Sequence, residues 1–201
     1  MRLQAGRPAP DFLRPDISGK TIRLSDYRGR YLLLSFYRYA SCPFCNLRVH
    51  ELMQRLPELD QRRLSLVAVF QSAREGIMDH VGKQRPPFPI IPDPGHNLYH
   101  SYGVEASLYG FVLGLTLRVG KALKAMGKGF LPGRMEGSIT LVPADFLIGP
   151  EGTILIAYYG KDISDHLPIE IILQQLGAQR AGGEFFTSGG CHSPITTGEP
   201  M

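Results

Sequence analysis

The chain has 201 residues, of which 43% are hydrophobic and 20% charged, a balance that fits one ordinary globular core and excludes a fibrous or globally disordered protein. Its net charge of +4 does not build a nucleic-acid surface. Arg2, Arg7, Arg14, Arg23, Arg28, Arg30 and Arg38 are scattered among acids and turn formers, and the one regular spacing, Lys121, Lys124 and Lys128, reads as a solvated helix face.

In chain order, "RPAPDFLRPDISGKTIRLSDYRG" mixes turn formers with the alternation "KTIRL", which predicts a small N-terminal hairpin ahead of the main sheet. "YLLLSFY", residues 31–37, is an apolar run of strand length and predicts a strand covered on both faces. From Pro43 to about Leu56, Leu47, Val49, Leu52, Met53 and Leu56 recur at helical spacing. "LSLVAVF" at 64–70 predicts a second buried strand, "REGIMDHVGK" a short helix and "FPIIPD" a short strand bounded by prolines. Strand, helix, strand in that order argues for parallel pairing through a right-handed crossover.

Residues 97–130 read as a mostly helical insert containing the apolar stretch "ASLYGFVLGLTL", which is too short to cross a membrane but able to pack on the core or on a second copy of the chain. After Pro143, "ADFLIGPEGTILIAYYG" predicts two strands joined at "GPEG", and "PIEIILQQLGA" a closing helix that stops at Gly177. The expectation is one domain over 1–179 and a flexible Gly, Ser, Thr and Pro-rich tail over 180–201. "MRLQAGRPAPDF" lacks the apolar core of a secretory signal, so a cytoplasmic location is expected.

Three cysteines are an odd number and make no disulfide framework, so Cys42 and Cys45 read as reactive or ligating thiols. Cys42 falls past the end of a buried strand and at the mouth of a helix, where unpaired N–H groups and the helix dipole favour an anion. Its pKa is expected to drop below the free-thiol value of ~8.5, which makes it the nucleophile. Cys45, one turn further in, is placed to resolve a mixed disulfide or a sulfenic acid on Cys42. Pro43 begins the helix where its missing N–H costs nothing. The alternatives are half of a zinc site, for which only Cys191, His96 and His100 remain as further ligands, and a pair of inert core cysteines. His50 reads as an exposed or capping residue of the same helix, with a catalytic base as the alternative. Asp162, Asp165 and His166 in "GKDISDHLP" offer either an Asp–His proton relay or a helix cap by Asp165.

"GRPAPDF", "SGKTIRLSDYRGRYLLLSFYR", "CPFC" and "PADFLIGPEGTI" together resemble peroxiredoxin-like proteins of the alkyl hydroperoxide reductase/thiol-specific antioxidant (AhpC/TSA) family, in the subgroup with a CPxC pair. The resemblance spans about residues 6–177. It implies an α/β thioredoxin-like fold, with a central mixed sheet flanked by helices, an N-terminal hairpin and the helical insert before the late strand pair. It also implies a thiol-dependent oxidoreductase with antioxidant activity that reduces hydroperoxides or disulfides, needs no cofactor or metal, and is recharged by thioredoxin, glutaredoxin or glutathione. Pro143 matches the proline that in this fold is cis and faces the redox cysteine, offering the backbone of Val142 to substrate.

The chain departs from the family pattern in several places, among them the missing proline of the peroxidatic motif and an insert of about forty residues before Pro143. Tyr39 stands where peroxidatic members carry threonine or serine three residues before the reactive cysteine, and Ser41 precedes Cys42 where thioredoxin has tryptophan. Arg38 and Arg134 are candidates by chemistry for polarising a peroxide. The expected substrate-binding set is thus Arg38, Tyr39, Ser41, Pro43, Arg134, Val142 and Pro143 around Cys42 and Cys45. A competing expectation is a binding or biosynthetic-pathway protein without redox turnover, its insert lining a small-molecule pocket or a homodimer surface.

Overall fold

A computed structural model describes residues 1–106, 119–133 and 135–184. It divides into a large unit, Met1–Pro168, and a smaller one beginning at Ile169.

In the large unit β1 (Leu13–Pro15) and β2 (Thr21–Arg23) pair antiparallel, Leu13 facing Arg23. Their turn is closed by Asp16, whose carboxylate accepts hydrogen bonds from Ser18 and from the Lys20 amide. The main sheet contains β3 (Tyr31–Phe36), β4 (Leu64–Phe70), β5 (Ile90–Pro92), β6 (Ala144–Ile148) and β7 (Ile154–Tyr159), in the spatial order β5-β4-β3-β6-β7. β3, β4 and β5 run parallel, whereas β6 and β7 are antiparallel additions, so the expected mixed sheet is present.

The apolar run of β3 follows from burial on both sides. Leu32, Leu34 and Phe36 point into one cluster with Val67, Val69, Phe146 and the rings of Tyr99 and Tyr102. Tyr37 joins the opposite cluster with Ala68, Phe70, Val49 and both cysteines. Side chains alternate across the sheet with period two, so a strand covered on both faces has no position left for a charge.

The second cluster includes one face of α1 (Pro43–Gln61), the helix that opens at the cysteines. It runs five residues past the expected end at Leu56, straight through Pro57. The proline removes one hydrogen bond, but Leu59 beyond it is fully buried, and that apolar anchor continues the helix. α2 (Arg74–Asp79) and a 3₁₀ turn (Val81–Gln84) follow β4.

The insert begins with α3 (Asn97–Ser101) and ends with α4 (Val119–Gly127). Most of "ASLYGFVLGLTL" lies outside the described residues. Lys124 on α4 and Lys128 just past its end are engaged rather than merely solvated: Lys124 pairs with Glu51 at 2.8 Å and Lys128 donates to His50 at 3.1 Å, both partners on α1.

In the second unit α5 (Ile169–Glu184) buries Ile169, Ile172 and Leu176 at helical spacing. It continues past the expected stop at Gly177. An interior glycine costs about 1 kcal/mol relative to alanine, and no proline follows to end the helix. The expected tail from 180 therefore begins as helix, and residues 185–201 lie outside the described residues.

The phenol of Tyr99 donates to the carbonyls of Tyr37 (2.6 Å) and Val69 (3.0 Å), tying together the ends of β3 and β4 from which the cysteine loop departs. Tyr99→Phe leaves both buried carbonyls without this donor and is expected to cost about 1–2 kcal/mol, read as a lower denaturant midpoint at unchanged slope.

Candidate active site

β3 ends at Phe36, and the chain crosses five residues before Cys42 caps α1, with Pro43 in its first turn. Two neighbours hold this loop. The Ser72 hydroxyl accepts the Ala40 amide at 2.9 Å, and the Asn46 side chain donates to the carbonyls of Ala40 (2.6 Å) and Cys42 (3.0 Å). Neither residue is singled out by the sequence, although Asn46, directly after the CPFC motif, is a polar residue on the buried side of an amphipathic helix.

Both thiols are reduced and buried. The Arg38 guanidinium, itself only 2% exposed, donates to Cys42 Sγ at 3.6 Å, bonds the Ile139 carbonyl, and lies over the Tyr39 ring at 4.9 Å from its centroid. Burial opposes a thiolate at Cys42. The hydrogen bond from the Cys45 thiol, the Arg38 charge and the amides of Cys45 and Phe44 outweigh it, and the Cys42 pKa falls to about 6. Burial and the neighbouring Cys42 sulfur push the Cys45 thiol well above the ordinary value. The pair is thus divided into an anion and a proton-bearing partner, as a nucleophile and a resolving thiol require.

Of the other expected site residues, Tyr39 and Ser41 are buried beside the cysteines, and burial raises the Tyr39 phenol pKa. Continuing the β3–β6 register, in which Phe36 faces Ala144, sets Pro143 abreast of Tyr37 and Val142 abreast of Arg38. Both are therefore at the cysteine end of the sheet. No cis peptide bond occurs among the described residues, so Val142–Pro143 is trans, contrary to expectation. Pro143 directly precedes the strand, where extended trans backbone feeds the ladder and its carbonyl accepts the Gly160 amide at 2.9 Å. Arg134 and Cys191 lie outside the described residues.

A segment preceding β6 covers the site. Gln71 pairs with Ser138 through both backbone groups, each at 2.9 Å, and Arg38 holds the next carbonyl. Gly137, at φ +72°, has room for no side chain, since a Cβ there would fall 2.6 Å from the Gln71 side-chain oxygen Oε1. Gly133 approaches as closely, a Cβ meeting both Ser41 and His80 at 2.9 Å.

A second polar group lies on the same face of the sheet. The fully buried Asp145 carboxylate accepts the Leu167 amide at 2.7 Å and faces His166 Nδ1 at 3.0 Å, while Arg48 donates to the Leu167 carbonyl at 2.6 Å. The His166 ring is 4.9 Å from that of Tyr37, which stacks on Phe70. Histidine's carboxylate partner is thus Asp145, not Asp162 or Asp165. Those two close the 161–165 turn, Asp162 accepting from Ser164, and Asp165 from Lys161 and Tyr158. Asp165 also caps no helix, because α5 starts four residues later.

His50 accepts from Lys128 and Gln54 on the exposed side of α1. His96 and His100 are neighbours on or beside α3, with rings 6.4 Å apart, and no group of three or more His, Cys, Asp or Glu side chains gathers among the described residues. No helix among those residues is long and apolar enough to cross a membrane.

A parallel strand-helix-strand core extended by an antiparallel pair, with a cysteine pair opening the first helix, defines a thioredoxin-like thiol protein. The profile of the AhpC/TSA family matches residues 5–156, and the chain belongs to that family. Peroxiredoxin Bcp of Escherichia coli K12 is 27% identical over 128 residues, 63% of this chain and 82% of that protein. Peroxiredoxin Bcp of Bacillus subtilis is 23% identical over 167 residues, 83% of this chain and 92% of that protein. The fold is shared with peroxidoxin BcpB of Mycobacterium tuberculosis (TM-score 0.62, 19% identity, 88% and 98% of the two chains). It is also shared with reduced 2-Cys peroxiredoxin of Plasmodium vivax (TM-score 0.65, 13% identity, 91% and 85%).

The thiolate absorbance of the reduced protein is expected to rise with a midpoint near pH 6, and Arg38→Met moves that midpoint upward by removing the cation. Burial disfavours the Asp145 carboxylate, but the facing His166 holds its pKa at about 2, below the unfolded value of ~3.9. Its contribution to stability is accordingly complete above ~pH 4 and lost as pH falls towards 2. Asp145→Ala, which breaks a buried pair, is expected to cost about 3 kcal/mol, read by chemical denaturation at neutral pH.

Proposed function

We propose that the protein is a thiol peroxidase in which Cys42 is the peroxidatic and Cys45 the resolving residue. The observation that carries this reading is the buried Arg38 guanidinium 3.6 Å from a Cys42 sulfur whose pKa has dropped to about 6. The Cys42 thiolate attacks one oxygen of a hydroperoxide, the O–O bond breaks, and the departing oxygen leaves as alcohol or water once protonated. Cys42 is then a sulfenic acid. Cys45 attacks that sulfur, gives up its proton, and water leaves as the Cys42–Cys45 disulfide forms.

Arg38 is positioned to hold the thiolate and to stabilise negative charge on the leaving oxygen. With tyrosine rather than threonine or serine at position 39, this work falls to Arg38, which lies two residues past β3 and is also bonded to the Ile139 carbonyl. The cycle closes when a dithiol donor, thioredoxin or glutaredoxin, or two molecules of glutathione reduce the disulfide. A reducing compartment such as the cytoplasm suits it. A second reading, disulfide reduction by the same pair, is favoured by Cys45 following Cys42 within one helical turn, the arrangement that releases a mixed disulfide fastest. A binding protein without turnover would gain nothing from a thiol held as an anion.

Cys42→Ser is expected to abolish peroxide consumption. Cys45→Ser retains the first step and stops at a Cys42 sulfenic acid, detected as a dimedone adduct. Equal single-turnover rates for Cys42→Ser and wild type would overturn the assignment, and faster oxidation by a small disulfide than by hydrogen peroxide would favour the second reading.

A further inference from the structure

Beside the cysteine loop is an open cavity of about 440 Å³, within the range of roughly 300–1,000 Å³ usual for small-molecule sites. It is lined by Ser41 and Asn46, by Asp79, His80 and Lys83 from the end of α2 and the following turn, and by Phe130. Among the described residues no hydrogen bond or ion pair engages the side chains of Asp79, His80 or Lys83. Gly133 closes the far wall, in contact with both Ser41 and His80, and leaves no room there for a side chain.

The charges around this cavity are mixed. A carboxylate, an ammonium and an imidazole line a space that an aromatic ring also lines. That pattern suits neither a neutral alkyl group nor a simple anion, because Asp79 would repel the latter. It complements a ligand carrying its own ammonium and carboxylate groups. Cys42 is buried and does not itself line the cavity, but two of its neighbours do: Ser41, which precedes it in the chain, and Asn46, whose side chain donates to its carbonyl.

We infer that this cavity binds the reducing substrate, a low-molecular-weight thiol with an amino-acid headgroup of the γ-glutamyl peptide or cysteine type. Asp79 faces its ammonium group, and Lys83 with His80 faces its carboxylates. The inference rests on the redox reading of Cys42 and Cys45. The bound thiol, as its thiolate, attacks Cys42 Sγ. The Cys42–Cys45 bond breaks and its electron pair passes to the Cys45 sulfur, which takes up a proton. A second thiol then attacks the sulfur of the first, freeing Cys42 and releasing the symmetric disulfide. Two thiols are oxidised and one protein disulfide is reduced.

The test has two arms on the full chain. In the first, protein oxidised to the Cys42–Cys45 disulfide is reduced by glutathione and by 2-mercaptoethanol, which lacks the headgroup. Glutathione is expected to react with saturation, and Lys83→Met to lower the glutathione-to-mercaptoethanol rate ratio about tenfold, the loss expected for one charge-assisted contact. In the second, calorimetry measures binding of S-methylglutathione, which cannot react, to the reduced protein; Lys83→Met weakens it by a similar factor, and Asp79→Asn weakens it as well. Lys83 and Asp79 are exposed, so neither substitution removes core packing. An unchanged rate ratio or equal S-methylglutathione affinities in wild type and Lys83→Met would overturn the inference. Failure of the disulfide to form under peroxide would overturn the redox reading, and the calorimetric arm then decides the cavity alone.

Discussion

A permanent positive charge inside the core is the constraint to which the rest of the site answers. Arg38 cannot lose its proton, and with 2% of its surface exposed it cannot be solvated. Burying an unpaired cation is expensive, and this one is met by the Cys42 sulfur, the Ile139 carbonyl and the face of Tyr39. Of these, only the sulfur can supply a full negative charge, and the Arg38 charge joins the hydrogen bond from Cys45 in lowering the Cys42 pKa.

The sheet holds that interaction in place. β3 is covered on both faces, so the loop leaving it has little freedom, and Tyr99 fixes the last carbonyls of β3 and β4 from the opposite face. α1 begins as soon as the chain can turn, presenting its amides to Cys42 and carrying Cys45 deeper on the same face. The anion therefore sits where fixed dipoles and a fixed cation converge. Little reorganisation is left for the moment of reaction. Asp145, Arg48 and His166 add a second charged group on this side of the sheet, arranged to hold the segment entering Pro168 through the Leu167 amide and carbonyl.

Much of this is legible in the sequence because it depends on local pattern. Continuous apolar runs of strand length place β3 and β4, and period-3.6 hydrophobicity places α1, to within a few residues; the position of Cys42 between a strand and a proline-started helix marks it as the candidate nucleophile without reference to anything distant. What is not legible depends on contacts between distant residues. Nothing near Arg38 says that residue 139 will arrive to accept from it, so a surface location is as compatible with "FYRYA" as a buried one. His166 lies close in sequence to Asp162 and Asp165 but faces Asp145, because strand register rather than sequence proximity decides which carboxylate it meets. Pro57 reads as a helix end because the burial of Leu59, which overrides it, is a tertiary fact. The trans Val142–Pro143 bond likewise belongs to the path by which this chain reaches β6.

Complete burial of Cys42 also sets a condition on its chemistry. No solvent touches the sulfur, and Arg38 and Gln71 bind the 138–139 backbone, so a reactant gains access only as the packing around Cys42 yields. The two fastenings differ in kind. Gln71 makes a neutral, two-point match to Ser138 that is indifferent to the state of the sulfur. Arg38 donates both to the Cys42 sulfur and to the Ile139 carbonyl, so its hold on the segment is tied to the sulfur it also engages. The flank at Ser41 is packed differently, since Ser41 lines the neighbouring cavity together with Gly133, whose missing side chain leaves room for both Ser41 and His80.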